Sequence, residues 1–248
     1  MPRKSNNVRL RGKNERSQTW EVGSVPNHVI EKIGAGIACK KAVGCKDITG
    51  DDVSSIFADA IGGTDLSSPL GVVDVVHDKN IWSVKTVKAS KPFEATTVRL
   101  ISGRNSVDYS FGINDPRANV QKTGEAVVSI WNCRIDEAID KYRKALRLLV
   151  LVRNFDKSEF LLFESTNSKF VPRDFKWETN GRGNLQGHDK VSKKHLFTWQ
   201  PHGAQFTIIR PVPGSAVKFK IGSAGELKQK QILKAIGFVK SDVQIIES

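Results

Sequence analysis

Cysteine is scarce: the 248 residues contain three, Cys39, Cys45 and Cys133, and none belongs to a CxxC pair or to a Cys/His cluster at metal-ligand spacing. A disulfide framework and a structural zinc site are thereby excluded, and three buried, reduced thiols are expected. No stretch approaches the ~18 apolar residues a membrane-spanning helix needs. The opening Met1-Pro2-Arg3-Lys4-Ser5 leads into polar sequence where a secretory signal would carry an apolar run. A cytoplasmic protein that does not engage a membrane is the expectation. Internal repeats, a heptad seam and low-complexity tracts are missing as well. The five histidines, His28, His77, His188, His195 and His202, include no HExxH or HxH pair, which removes the dedicated zinc and HNH-type nuclease sites. No Walker A loop or GxGxxG follows a strand, so ATP and dinucleotide chemistry are not indicated. Acidic side chains are also in short supply: 26 Asp and Glu face 39 Lys and Arg, a net charge of +13. Such a field concentrates polyanions, and nucleic acid is the first partner to consider.

What remains is a globular composition, 39% hydrophobic and 26% charged, in a chain long enough for one large domain. Residues 1–20 read as a basic mobile arm, with Arg3, Lys4, Arg9, Arg11, Lys13 and Arg16 against the single acid Glu15. Residues 21–170 read as an α/β core. Val29, Ile30, Ile33 and Ile37 predict a helix after Pro26, and Val53, Ile56, Phe57, Ala60 and Ile61 predict a second from Thr49 to Gly63. Asp51 and Asp52 sit at the positive end of that second helix and Gly62-Gly63 stop it. The runs 72–76 and 81–87, around the polar His77-Asp78-Lys79-Asn80, predict a β-hairpin. A helix over 135–146 and strands over 147–153 and 159–165 follow. Residues 171–210 read as a DNA-recognition region: 171–202 are basic, aromatic and Gly-punctuated, too polar to be core, and strands resume at 194–199 and 205–210. Residues 211–248 supply a last strand and a helix near 225–236 that pack on the core.

The hairpin carries the chemistry. Asp74 lies on one arm, and Ser83 and Lys85, two apart, share a face of the other. If Val76 pairs with Ile81, Asp74 faces Ser83 and Lys85 is its diagonal neighbour at roughly 7–8 Å; a turn one step along places Asp74 opposite Lys85 itself. A three-residue turn would flip one arm and separate them. A carboxylate beside a lysine in apolar surroundings suits phosphodiester hydrolysis, since Asp offers hard oxygen to Mg2+ and Lys can orient a water. The same spacing also suits a structural ion pair. A Ser83–Lys85 nucleophile pair is disfavoured, because its spacing differs from that of SxxK.

Asp74-(eight residues)-Ser83-Val84-Lys85, preceded by an amphipathic helix and followed by the polar, basic stretch from Lys88 to Ser110, resembles the PD-(D/E)XK nucleases and, among them, type II restriction endonucleases. The resemblance covers roughly 51–110. It implies a restriction-endonuclease-like α/β core, a central mixed sheet flanked by helices with an inserted basic DNA-recognition region, and Mg2+-dependent cleavage of double-stranded DNA to 5′-phosphate ends. It further implies a homodimer for cutting both strands, and a DNA methyltransferase as functional partner in a restriction-modification system. Val73 stands where the family often has proline. Ser83 stands where it prefers Asp or Glu, and some relatives with Ser-x-Lys take the missing carboxylate from the following helix. Glu94 is the first acid after Lys85 and would serve if 93–101 were helical. The expected site is therefore Asp74, Ser83, Lys85 and Glu94, with Asp74 and Glu94 on the metal and Glu31 as a lesser accessory acid.

Sequence reading is expected from the 171–210 region. Arg grips guanine and Asn or Gln grips adenine through paired hydrogen bonds in the major groove, whereas Lys more often meets phosphate. Arg182 and Gln186 are expected on bases, with His202 and Gln205 as second choices, and Lys190, Lys193 and Lys194 on the backbone; Asn184, His188 and Gln200 complete the inventory. The rival reading is a non-catalytic DNA- or RNA-binding protein whose hairpin only folds.

Overall fold

The computed structural model describes residues 20–66, 71–222, 225–239 and 242. The basic arm, except for Trp20, and the extreme C-terminus lie outside the described residues. Two helices open the chain, α1 (Asn27–Ala42) and α2 (Gly50–Ile61). Helix α2 begins at a reciprocal cap in which the Thr49 hydroxyl accepts from the Asp52 N–H and the Asp52 carboxylate accepts from the Thr49 N–H. Lys40 of α1 lies 2.6 Å from Asp52. Together with the cap, Lys40 brings that carboxyl down to about 2.

Strands β1 (Thr64–Asp65), β2 (Val75–His77) and β3 (Asn80–Lys88) form an antiparallel meander. Val76 pairs with Ile81, the first of the two registers considered above. Next come β4 (Thr97–Arg104), α3 (Val107–Phe111), α4 (Val120–Tyr142), β5 (Ala145–Asn154) and β6 (Glu159–Thr166). β7 (Phe175–Thr179), β8 (Leu185–Asp189), β9 (His195–Gln200), β10 (Gln205–Pro211), β11 (Val217–Lys220) and α5 (Gln229–Ala235) complete the order. The central sheet is mixed, in the order β1-β2-β3-β5-β6-β11, and β3 and β5 run parallel. A second, five-stranded antiparallel sheet has the order β4-β10-β9-β8-β7.

Alternation along β3 explains the layering. Trp82 and Val84 face α1 and α2 and join Ile33, Ile37 and Phe57 in one buried cluster. The opposite face of the central sheet meets the second sheet: Val98 and Leu100 of β4 pack on Leu148, Val150 and Val152 of β5. Farther along, α4 wedges between the sheets, with Val127, Trp131 and Ile135 against Ile81, Trp177 and Phe197. Under the sheet edge, Glu164 accepts from Trp20 Nε1 and Trp82 Nε1 and pairs with Arg147 at 3.3 Å, so this buried carboxylate is fully engaged. Among the described residues no helix is long and apolar enough to cross a membrane.

Several expectations change. Residues 93–101 are not helical: a short 3-10 turn, Pro92–Glu94, leads into β4, whose Val98 and Leu100 alternate as a strand does. The 171–202 stretch is not too polar to be core, because Phe175, Trp177, Leu185, Phe197 and Trp199 are buried inner-face residues of β7, β8 and β9. Helix α4 starts fifteen residues earlier than the expected 135. Strand β11 does pair with β6, but α5 buries none of its residues. The three cysteines are exposed.

Gly124 of α4 faces Trp177, and a Cβ there would come within 2.0 Å of the indole. Alanine gains about 1 kcal/mol of helix propensity but must displace a buried ring, at a cost of about 1–3 kcal/mol or more. Gly124→Ala should therefore lower stability in urea denaturation followed by tryptophan fluorescence; an unchanged or higher midpoint would show that α4 and β7 are not locked this closely.

Candidate functional site

A two-residue turn at Asp78-Lys79, with Asp78 in the left-handed region at φ 46°, closes the β2–β3 hairpin and fixes its register. The β2–β3 pairing ends at Val75 and Trp82, and Asp74 follows it directly. The Asp74 backbone belongs to the ladder on both sides: its N–H donates to Trp82 O at 2.8 Å and its carbonyl accepts from the Leu66 N–H at 2.9 Å. With the backbone held, the side chain is aimed. Asp74 Oδ2 accepts from the Val84 N–H at 2.6 Å and from Lys85 Nζ at 3.3 Å.

Both side chains are mostly withdrawn from water, Asp74 at 19% and Lys85 at 27% exposure. Burial pushes the Asp74 carboxyl above its ordinary value despite Lys85 and the Val84 N–H, which pull it down; the neighbouring Asp65 adds to the rise. A structural ion pair normally stabilises its carboxylate, and this one is held in a setting that resists its charge.

Asp74 and Lys85 line a cavity of about 450 Å³. The N-terminal end of α2 contributes Asp51 and Ser54 to the wall, and β4 contributes Arg99 and Ile101. Asp51, Ser54 and Arg99 were not singled out as site residues by the sequence. Asp51 was read only as a charge at the helix N-terminus, and Arg99 is a lone cation in an apolar run. Ser83 is 1% exposed and does not line the cavity. Glu94 is also off the wall: its side chain is 67% exposed and pairs with Lys91 at 3.0 Å, because the helix that would have turned it back is a strand. Glu31 is exposed on α1 and does not line the cavity either.

A larger groove of about 740 Å³ covers the outer face of the second sheet. Register explains its composition. Ile101, Thr207, Thr198 and Gln186 follow one another across four paired strands, while Leu100, Ile208 and Phe197 point inward. Of the residues expected to contact DNA, Arg182, Asn184, Gln186, Gln200 and Gln205 line this groove. Asn180 shapes its rim, accepting from the Arg182 and Asn184 N–H groups. No carboxylate lines the groove. Among the described residues, the amides of Gln186, Gln200 and Gln205 have no partner within the chain.

The other expected contacts lie elsewhere. Lys190, Lys193 and Lys194 belong to the β8–β9 connection, at the end of the sheet opposite the Asn180 turn. Lys190 Nζ donates to Arg173 O and Lys193 Nζ to Lys190 O. His202 is exposed in the β9–β10 turn. His188 is half-buried, its ring 5.0 Å from that of His195 and its Nδ1 3.6 Å from Glu178. Compared with family models, curated proteins and solved structures, the chain matches none.

The raised Asp74 carboxyl has a consequence for stability. Between its unfolded and folded values the native state keeps a proton that the unfolded chain has released, so stability falls as pH rises through that window. At pH 7 the ionised group weighs against folding. Asp74→Asn should therefore melt at the wild-type temperature or above it at pH 7, with the difference vanishing in acid as Asp74 is protonated in both states. A clearly lower melting temperature would mark Asp74 as a structural partner of Lys85.

Proposed function

We propose that the protein is a Mg2+-dependent type II restriction endonuclease that hydrolyses double-stranded DNA at a short sequence. The observation that carries this reading is the partly desolvated Asp74–Lys85 pair on a cavity wall that adjoins a carboxylate-free, amide-rich groove. A mixed central sheet with helices on both faces is of the kind that the resemblance to PD-(D/E)XK nucleases implies.

The donor set fits magnesium. Mg2+ keeps several waters and is commonly held by one or two carboxylates together with substrate phosphates. Asp74 and Asp51 supply two such carboxylates on one cavity, and Asp51 replaces the expected Glu94 in this role. No group of three acids, histidines or cysteines that could hold a metal by itself occurs among the described residues, so substrate oxygens would complete the shell. When bound, the ion supplies Lewis acidity at the phosphodiester.

The chain's own groups do the rest. Lys85 orients a water against the scissile phosphorus and balances the charge gathering on the pentavalent phosphorane. The water oxygen forms the new P–O bond, its proton passes to solvent, the P–O3′ bond breaks, and the 3′ oxygen takes up a proton. The products are a 5′-phosphate and a 3′-hydroxyl. Gln186, Gln200 and Arg182 offer the paired donors and acceptors that distinguish bases in the major groove. Cutting both strands of a palindrome calls for two such sites, supplied by a homodimer. A cognate methyltransferase would protect the same sequence in the host cytoplasm.

Incubation with phage DNA tests the reading. Discrete fragments should form with Mg2+ and not with EDTA, and Lys85→Ala should slow their formation by about 100-fold or more while gel retardation of duplex persists. Asp51→Asn should be similarly slow, and Glu94→Ala should cut at close to the wild-type rate. Retardation by the wild type without cleavage would leave a non-catalytic DNA-binding protein.

A further inference from the structure

The active-site cavity and the polar groove share two wall residues, Arg99 and Ile101, both on β4. Arg99 pairs across the ladder with Ile209 and therefore lies on the outer face of the second sheet. Its Nη2 donates to Thr198 Oγ1 at 3.1 Å. Thr198 is itself buried and lines the groove, so the guanidinium rests on a rigid strand.

The chemistry of that support matters. His195 Nε2 lies 2.7 Å from the Phe197 carbonyl and 3.0 Å from Thr198 Oγ1. A carbonyl can only accept, so Nε2 carries the proton and donates it to Phe197 O, with the Thr198 hydroxyl beside it accepting from the guanidinium. Burial, with Arg99 and His188 adding to it, keeps His195 below its ordinary value. Arg99 is thus held in place by a neutral hydroxyl backed by a neutral ring. Its charge is positioned without being cancelled, and a guanidinium that has donated once retains further N–H groups in a planar fork.

We infer that Arg99 grips a backbone phosphate of the bound DNA at the seam between the groove and the cavity, and so fixes the spacing between the bases read and the bond cut. This rests on the nuclease reading for its second clause only. A planar guanidinium matches two phosphate oxygens, and Arg99 sits where the groove meets the cavity that holds Asp74 and Lys85. Arg99 also stands on the same strand whose inner face packs against β5, so movement of one cavity relative to the other is resisted by the core.

Two readouts test the inference. The first is the salt dependence of binding to a mixed-sequence duplex in EDTA, where Arg99→Ala should reduce the slope of log K against log salt by about 1. The second is the rate of phage DNA cleavage with Mg2+, where Arg99→Ala should lose about tenfold or more, the loss of one charge-assisted phosphate contact, with partial recovery in Arg99→Lys, which keeps the charge and loses the fork. Thr198→Val should lower cleavage while leaving the salt slope intact, since the charge remains but its mounting is gone. Melting temperatures of all three variants near that of the wild type establish that they fold. If the wild type does not cleave but Arg99→Ala still lowers the slope, the nuclease reading fails and the phosphate contact stands. An unchanged slope together with an unchanged cleavage rate in Arg99→Ala would overturn the inference.

Discussion

The parallel ladder between β3 and β5 is the constraint on which the architecture depends. Nine residue pairs, from Asn80 with Ala145 to Lys88 with Arg153, must run in the same direction. Parallel neighbours cannot be joined by a tight turn, so the chain has to return along the sheet before β5 begins. That return contains β4 and α4. Because β4 recruits β10 and then β9, β8 and β7, the crossover is also the root of the second sheet. The strand that carries Lys85 and the strand that carries Arg99 thus follow one another directly, and the cavity and the groove come to share a wall.

Energetics follow the same division. Two buried charges away from the candidate site are well satisfied: Glu164 has Trp20, Trp82 and Arg147, and Arg153 has Asp47 at 2.9 Å and Thr86. Asp74 is different. It is held by one N–H and one ammonium in a place where burial opposes its charge. An arriving cation would offset the cost that burial places on this charge. The groove shows the complementary pattern, with amides left unsatisfied inside the chain and therefore available to a ligand.

The legible parts of the sequence were those governed by local periodicity. Val29, Ile30, Ile33 and Ile37 announced α1, Thr49 and Gly62 bracketed α2, and the polar His77-to-Asn80 stretch between two apolar arms announced the hairpin and narrowed its register to two alternatives. The same rule would have found β4 and β7, since Val98 and Leu100, and Phe175 and Trp177, alternate with polar neighbours. In both strands the period of two is short and lies among charged and polar flanks, which masks it. Glu94 would face the hairpin only from a helix, and the 3-10 turn and strand that stand there instead leave it in solvent. Asp51, Ser54 and Arg99 had no local signal at all: each joins the site through packing of α2 and β4 against the hairpin, a tertiary relation that a single sequence does not carry. The lysines at 190, 193 and 194 were grouped with Arg182 by proximity in sequence, and the hairpin between them sends the two groups to opposite ends of the sheet.

If one duplex lies across both cavities, the bond broken must stand at a constant distance from the bases read. Sequencing the ends of fragments released from phage DNA measures that distance directly. The account predicts a single short sequence at a fixed offset from every cut, with phosphate on each 5′ end. Ends that share no sequence, or a shared sequence at scattered offsets, would contradict it.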